Sequence, residues 1–125
     1  MISIVDDDAA VRETTQALVR SLGYNAMTFA SAEEFLQSER VHDTSCLITD
    51  VQMPGLSGVD LQSLLLARGH HTPIIFVTAF PEEKIRARAL EAGAVGFLSK
   101  PFDEERLIDC LNQALDGRAG ERTEH

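Results

Sequence analysis

The sequence is short of basic residues, and it has no long hydrophobic run. Its 11 Lys and Arg face 20 Asp and Glu, which gives a net charge of −9 when the histidines are neutral. That deficit argues against nucleic-acid binding by this chain itself, because no surplus of cations is available to displace counterions from phosphates. No apolar run approaches the roughly 18–20 residues that span a bilayer, so we expect no membrane partner.

Signals for secretion, disulfides and histidine-bound metal are also missing. The N-terminal stretch MISIVDDD is acidic where a secretory signal is basic, so we expect a cytoplasmic protein. Cys46 and Cys110 lie far apart without a CxxC pair, which indicates free thiols in a reducing compartment, and both are interpreted as small core side chains. The histidines lack the spacing of metal ligands and are expected at the surface. They are His42, His70, His71 and His125.

What is present fits one globular domain with alternating strands and helices. The 125 residues are 44% hydrophobic, which is enough for a single core. Short apolar runs, typical of strands, alternate with amphipathic stretches, typical of helices. The predicted strands are residues 2–5, 26–29, 46–49, 74–78 and 95–98, and the predicted helices are about 9–22, a helix opening at 31, 58–68, 81–92 and 103–116. Five such alternations indicate a parallel sheet with helices on both faces.

Local signals predict where the helices begin and end. Ser31 and Glu34 have the spacing of a capping box, and Pro81 suits the first turn of its helix. Glycines that follow the last apolar position are expected to end four helices. They are Gly23, Gly69, Gly93 and Gly117. Residues 117–125 are small or polar and are expected to be a frayed tail or the start of a linker, which leaves residues 1–116 as the domain.

Reactive side chains follow four of the five predicted strands. They are Asp6, Asp7 and Asp8 after the first strand, Asp50 after the third, Thr78 at the end of the fourth and Lys100 after the fifth. Taken singly, each has an ordinary interpretation: a helix-capping acidic loop, a turn residue, a strand residue and a solvated amine. Their shared position at the carboxyl ends of parallel strands favours a ligand site at one edge of the sheet.

This grouping calls for a cation and suits phosphoryl chemistry. Carboxylates about 5 Å apart repel by roughly 3 kcal/mol at an effective dielectric constant of about 20, and a divalent ion and an ammonium would relieve this. Oxygen-only ligands indicate Mg²⁺, or Mn²⁺, rather than Zn²⁺. A carboxylate beside such an ion is equipped to attack phosphorus, and the metal, ammonium and hydroxyl would each meet a phosphoryl oxygen.

Four segments occur in order along the chain: IVDD at residues 4–7, TDVQMPGLSG at 49–58, VTA at 77–79 and GAVGFLSKPF at 93–102. Together they resemble the receiver domain of bacterial two-component response regulators, over about residues 2–115. The resemblance implies an α/β fold of the flavodoxin-like (βα)5 type. That fold is a three-layer sandwich whose parallel five-stranded sheet has the order 2-1-3-4-5.

The resemblance also implies roles for individual residues around a magnesium ion. Asp50 resembles the phosphoacceptor and a metal ligand. Asp7 resembles the main acidic Mg²⁺ ligand, and Asp6 the acid that acts largely through water. The backbone carbonyl of Gln52 would complete the coordination by the protein.

A second group of residues resembles the switch of this family. Thr78 corresponds to the hydroxyl that moves onto the phosphoryl group, and Lys100 to its ammonium partner. The Lys100–Pro101 bond lies where the family has a cis peptide. Phe97 corresponds to the switch aromatic, although a phenylalanine in the fifth strand would equally be a plain core residue.

Two positions are expected to tune the lifetime of the phosphoryl group. Gln52 and Phe80 flank the path of the attacking water. Gln52 can hydrogen-bond a water but cannot act as a base, and an apolar Phe80 covering the path predicts slow autodephosphorylation. The alternative is that Phe80 packs on its loop or points to solvent.

The segments SAEEFL at residues 31–36 and KPFD at 100–103 are most similar to receivers of FixJ/NarL-like transcriptional regulators. The implied partners are a sensor histidine kinase, a second copy of the chain after phosphorylation, and an output that controls transcription. A stand-alone receiver is the alternative. The regulatory interpretation also makes the chain a phosphoacceptor that phosphorylates and dephosphorylates itself with Mg²⁺, rather than an enzyme.

Two other functions fit the sequence less well. A hydrolase of haloacid-dehalogenase type needs an acid two positions after its aspartate nucleophile, where this chain has Gln52. An FMN-binding flavodoxin needs a loop rich in Ser, Thr and Gly after the first strand, where this chain has DDDAA at residues 6–10.

Overall fold

A computed structural model of the chain describes the backbone of residues 1–123 and the side chains of residues 1–115. The strands are β1 (Ile2–Val5), β2 (Ala26–Phe29), β3 (Cys46–Asp50), β4 (Ile74–Thr78) and β5 (Gly96–Ser99). The helices are α1 (Ala9–Ser21), α2 (Ala32–Gln37), α3 (Gly58–Ala67), α4 (Glu83–Glu91) and α5 (Glu104–Thr123), with a short 3-10 helix at Glu39–Val41. No helix within the described part of the chain is long and apolar enough to cross a membrane.

The strands form one parallel sheet in the order β2-β1-β3-β4-β5. This confirms the predicted (βα)5 fold. In the register of the sheet, Val5 of β1 lies beside Thr49 of β3, while Asp50 lies beside Val77. Thr78 lies beside Ser99 of β5. The carboxyl ends of four strands are therefore level, and the residues that follow them meet at one edge.

The core has two apolar layers, one on each face of the sheet. One layer packs the sheet against α2, α3 and α4 and includes Phe35 and Leu61. The other packs it against α1 and α5 and includes Val19 and Leu107. β1, β3 and β4 are buried along their whole length, because both faces of a parallel sheet are covered. The site edge is thus built on rigid strands.

Several predicted element ends need correction. Pro81 is outside α4, whose N-cap is Glu82; the backbone of Glu82 is extended, with φ −113° and ψ 132°, so the helix begins only at Glu83. Gly117 does not end α5, which continues to Thr123, since glycine permits a left-handed conformation but does not impose it. The last strand is shifted by one residue and begins at Gly96. Of the predicted tail, residues 117–123 continue α5, and residues 124–125 lie outside the described residues.

The start of α2 also differs from the predicted capping box. The Ser31 hydroxyl accepts a hydrogen bond from the Glu34 amide at 3.1 Å, as expected. The Glu34 carboxylate, however, accepts from the Ala30 amide at 3.2 Å rather than from the Ser31 amide. A complete capping box instead begins α3, where Ser57 and Asp60 bond each other's backbone amides.

The cysteines and histidines are placed mostly as predicted. Cys46 is buried in β3, and Cys110 is half-buried on α5. His42 is exposed, and His70 is half-buried against it, with the ring centroids 5.1 Å apart in an edge-to-face arrangement. His71 is exposed, and His125 lies outside the described residues.

Candidate functional site

Three carboxylates converge at the carboxyl edge of the sheet. Asp6, Asp7 and Asp50 each offer an oxygen, and these oxygens lie within 4.8 Å of one another. Asp6 and Asp50 are only 3% and 7% exposed, whereas Asp7 is exposed. This donor set consists entirely of hard oxygens with one side open to solvent, so it fits Mg²⁺ or Mn²⁺.

Asp8 does not belong to this cluster. Its side chain accepts hydrogen bonds from the amides of Ala10 at 2.9 Å and Val11 at 3.3 Å, which makes it the N-cap of α1. The acidic run therefore divides into a helix cap and two site residues. Asp6 is also held through its own backbone, because Arg12 donates from Nη1 to the Asp6 carbonyl oxygen at 2.7 Å. Arg12 was not predicted, and its only sequence signal is a basic residue one turn into α1.

Lys100 bridges the two buried carboxylates. Its Nζ lies 2.8 Å from Oδ2 of Asp6 and 2.8 Å from Oδ2 of Asp50. Burial raises the pKa of Asp6, and the hydrogen bond from Lys100 offsets only part of that rise. Burial lowers the pKa of Lys100, but the hydrogen bonds to Asp50 and Asp6 together outweigh it and leave the pKa raised. Lys100 is therefore a fixed positive charge at neutral pH.

Asp50 is positioned by a close backbone contact that sequence reasoning missed. A Cβ at Gly58 would collide with the carbonyl oxygen of Asp50, so only glycine allows α3 to start here. The Gly58 amide also donates to the Val51 carbonyl at 2.8 Å. The available signal was a glycine at the first residue of a helix, directly after the Ser57 cap, where it costs helix stability.

The backbone of Gln52 lies against the carboxylate of Asp50. Its amide donates to Oδ1 of Asp50 at 3.2 Å, while the Gln52 side chain is exposed. With Lys100 on Oδ2, both oxygens of Asp50 have a partner. The peptide bond that follows Lys100, to Pro101, is cis.

Thr78 ends β4 beside this site and is buried. Its hydroxyl accepts a hydrogen bond from the Phe80 amide at 3.2 Å, and its carbonyl accepts from the Lys100 amide at 2.7 Å. The ends of β4 and β5 are thus joined through their backbones. The Thr78 hydroxyl is thus bonded to the loop that carries Phe80.

The two predicted aromatic residues have different surroundings. Phe97 is half-buried in the layer beneath α3 and α4, with its ring 6.0 Å from that of Phe76 between centroids. Phe80 is 67% exposed, so in this structure its ring faces solvent. Shielding of Asp50 by Phe80 remains a prediction that requires its loop to move.

The fold is that of a receiver domain. Residues 2–112 match the response regulator receiver domain family, and the chain belongs to that family. Among solved structures, the response regulator StyR aligns with a TM-score of 0.88 and 41% identity over 98% of this chain and 62% of StyR. FixJ-N aligns with a TM-score of 0.81 and 32% identity, over 92% of both chains.

Similar sequences include a nodulation protein and a transcriptional regulatory protein. Nodulation protein W of Bradyrhizobium diazoefficiens is 42% identical over 93% of this chain and 51% of its own length. The transcriptional regulatory protein FixJ of Azorhizobium caulinodans is 38% identical over 97% of this chain and 57% of its own length. The predicted similarity to FixJ-like regulators is confirmed. The chain spans about half the length of the curated relatives it matches.

Proposed function

We propose that Asp50 accepts a phosphoryl group from the phosphohistidine of a sensor kinase, and that this switches the surface controlling dimerisation and a transcriptional output. The observation that carries the proposal is the bridge of Lys100 to Asp6 and Asp50, at 2.8 Å each, beside the exposed Asp7. A buried nucleophile with a fixed cation and an open acidic face is suited to receive a phosphoryl group. Membership of the receiver family supports the same chemistry.

In the transfer step, an oxygen of Asp50 forms a bond to phosphorus while the N–P bond of the phosphohistidine breaks. The leaving imidazole keeps the electron pair of that bond. Lys100 can stabilise the negative charge of the transferred phosphoryl group, because its ammonium already contacts Oδ2 of Asp50. Mg²⁺ would be held by Asp6, Asp7, Asp50 and the backbone carbonyl of Gln52, and when bound it supplies positive charge to the phosphoryl oxygens.

The switch follows from the hydrogen bonding of Thr78. Its hydroxyl accepts from the Phe80 amide, so donation to a phosphoryl oxygen would draw the β4–α4 loop toward Asp50. The space vacated would allow Phe97, which is only half-buried, to turn inward. The surface of α4, β5 and α5, or whichever face the dimer uses, would change, and a second copy of the chain would associate with it.

The output is proposed to be transcriptional, because FixJ of Azorhizobium caulinodans is a transcriptional regulatory protein. In this proposal residues 1–116 are the receiver and residues 117–125 are the start of a linker. The alternative is a receiver that acts alone through its own surface.

The test is the intact mass of the protein after treatment with a small acyl phosphate and Mg²⁺. We expect one stable phosphoryl group on the wild type and none on Asp50→Asn, which keeps the size of the side chain but lacks the nucleophile. Labelling of Asp50→Asn to the same extent would contradict the proposal. Rapid release of inorganic phosphate over many turnovers, without an adduct, would instead support a hydrolase.

A further inference from the structure

The loop between β3 and α3 contacts a carboxylate from another part of the chain. Glu33, in the first turn of α2, accepts a hydrogen bond through Oε2 from the Leu56 amide at 3.3 Å. Gly55, the residue before Leu56, has φ +80°. A Cβ at Gly55 would collide with Oε2 of Glu33 and would lie 3.2 Å from its Cδ. The loop thus has a glycine where its backbone conformation and the Glu33 carboxylate both require one.

This contact has a cost that local structure does not offset. Oε1 of Glu33 is buried and has no hydrogen-bond partner within the part of the chain that the structure describes. A buried carboxylate oxygen without a partner is unfavourable, because it loses its hydration. The neighbouring Glu34 lies in the same turn of α2 without a buried, unpaired oxygen. Its side chain is exposed and accepts a hydrogen bond from the Ala30 amide. The position of Glu33 therefore points to a role in the loop.

The loop connects Glu33 to Asp50 over a few residues. Met53 is buried in the core, so the loop is anchored by the Met53 side chain and by the Leu56 amide on Glu33. Gln52 immediately precedes Met53, and its amide donates to Oδ1 of Asp50 at 3.2 Å. Two anchors on the same side of Gln52 restrict the orientation of its peptide group.

We propose that Glu33 is a positioning residue that holds the β3–α3 loop so that the Gln52 backbone is presented to Asp50 and to a divalent cation. The proposal rests on the proposed function and deepens it, because it adds a residue outside the acidic cluster to the same site. Glu33 touches neither the cation nor the phosphoryl group. It acts only through the Leu56 amide and the close fit to Gly55.

The experiment compares three variants of the described chain. Glu33→Ala removes the acceptor, Glu33→Gln keeps an acceptor oxygen, and Glu34→Ala removes a carboxylate of equal charge from the same helix turn. For each protein, amide hydrogen exchange at Leu56 and the amide chemical shift of Gln52 are measured without metal. The dissociation constant of Mg²⁺ alone is then measured by calorimetry.

We expect Glu33→Ala to speed exchange at Leu56, to shift the Gln52 amide signal and to raise the Mg²⁺ dissociation constant about tenfold, the lower end of the usual effect of outer-shell partners. Glu33→Gln should stay close to the wild type. Glu34→Ala should lower the melting temperature without changing Mg²⁺ affinity. Equal Mg²⁺ affinity in Glu33→Ala and the wild type, or a loss in Glu33→Gln as large as in Glu33→Ala, would overturn the proposal.

A second variant reaches the same contact from the loop. Gly55→Ala must displace the Glu33 carboxylate, so it should weaken Mg²⁺ binding more in the wild type than in the Glu33→Ala background. Additive effects would count against the contact. Hydrogen exchange, the Gln52 amide shift and Mg²⁺ affinity are measured independently of labelling at Asp50. If these three change as expected but Asp50 takes no phosphoryl group, the positioning role of Glu33 stands and the proposed function fails.

Discussion

The ammonium of Lys100 lies 2.8 Å from Oδ2 of Asp50, although the two residues are 50 positions apart. The same nitrogen lies 2.8 Å from Oδ2 of Asp6, 94 positions away. One cation thus pairs with two carboxylates that are almost fully buried. A phosphoryl group on Asp50 would compete with the two carboxylates for this ammonium. The contacts that stabilise the unphosphorylated site are therefore the same contacts that phosphorylation would change.

The first prediction concerns the loss of this bridge. Lys100→Met keeps the length of the side chain but leaves Asp6 and Asp50 buried without their cation. We expect the free energy of unfolding to fall by about 3 kcal/mol in the absence of Mg²⁺, as when one partner of a buried ion pair is removed. Mg²⁺ should restore much of this loss. Urea unfolding with and without Mg²⁺ checks both effects.

The matched control is Lys84→Met, which removes an exposed lysine from α4. It should change the free energy of unfolding by no more than about 0.5 kcal/mol. Equal destabilisation by the two substitutions would show that the bridge contributes nothing beyond general surface charge.

The second prediction concerns Mg²⁺ and the exposed acid of the cluster. Mg²⁺ should raise the melting temperature of the wild type, because a ligand at 100 times its dissociation constant stabilises the folded state by about 2.7 kcal/mol. Asp7→Ala should largely abolish this increment. Asp8→Ala should cost about 1 kcal/mol through the lost helix cap but keep the full increment. Differential scanning calorimetry measures all three, and equal Mg²⁺ increments in the wild type and Asp7→Ala would place the site elsewhere.

The third prediction separates phosphorylation from switching. Thr78→Ala should still accept a phosphoryl group at Asp50, since the hydroxyl is not the nucleophile. It should dimerise poorly afterwards, because nothing draws the β4–α4 loop inward. Thr78→Ser keeps the hydroxyl and should restore association. Sedimentation of the phosphorylated proteins measures dimerisation, and equal association of Thr78→Ala and the wild type would exclude this mechanism.

The fourth prediction concerns the lifetime of the phosphoryl group. Phe80 can neither orient a water nor accept its proton, whereas a glutamate at this position could do both. We expect the phosphorylated wild type to decay at least about tenfold more slowly than Phe80→Glu, with Gln52→Asn as the comparison on the other side of the path. First-order decay in Mg²⁺ is the measurement. A wild type that decays as fast as Phe80→Glu would agree with the exposed ring and show that Phe80 does not shield Asp50.

The fifth prediction uses the buried thiol of β3. Burial raises the pKa of Cys46 from 9.0 to about 12. Below about pH 9 the thiol is protonated in both the folded and the unfolded chain, so it makes no pH-dependent contribution. Above that pH only the unfolded thiol ionises, and the free energy of unfolding should fall by about 1.4 kcal/mol per pH unit.

The measurement is urea unfolding between about pH 8 and 10.5, compared with Cys46→Ala. The variant should be less stable at pH 8, because it leaves a small cavity, but its stability should fall less steeply with pH. Parallel pH profiles would contradict the raised pKa. In the folded wild type, Cys46 should also resist alkylation until the protein unfolds.

The positions of the strands were predictable to within one residue from local pattern. A short apolar run such as Ile2–Val5 buries all four side chains only in a covered strand, and Ile74–Thr78 was predicted to the residue for the same reason. Helix ends were less predictable, because their signals permit more than one outcome. Pro81 could begin a helix or precede it, and Gly117 could end α5 or continue it.

The residues that form the site could be predicted only from their position at the ends of the strands. Asp6, Asp7 and Asp50 were expected to converge because parallel strands bring their carboxyl ends to one edge. The same argument also brought Asp8 there, but the turn before α1 directs its carboxylate to the helix amides instead. That difference depends on backbone direction, which neighbouring aspartates in the sequence do not reveal.

The particular atoms that meet across distant segments could not be predicted, even where the sequence placed the residues at the same edge of the sheet. The bridge from Lys100 to Asp6, the approach of Gly58 to Asp50 and the bond from Glu33 to the Leu56 amide each join separate elements. The periodicity of buried residues and the preferences of helix caps reflect interactions between residues only a few positions apart in the sequence. Which distant atoms meet depends on the register of the sheet and on how α2 and α3 pack against it, so these contacts exist only once the whole chain has folded.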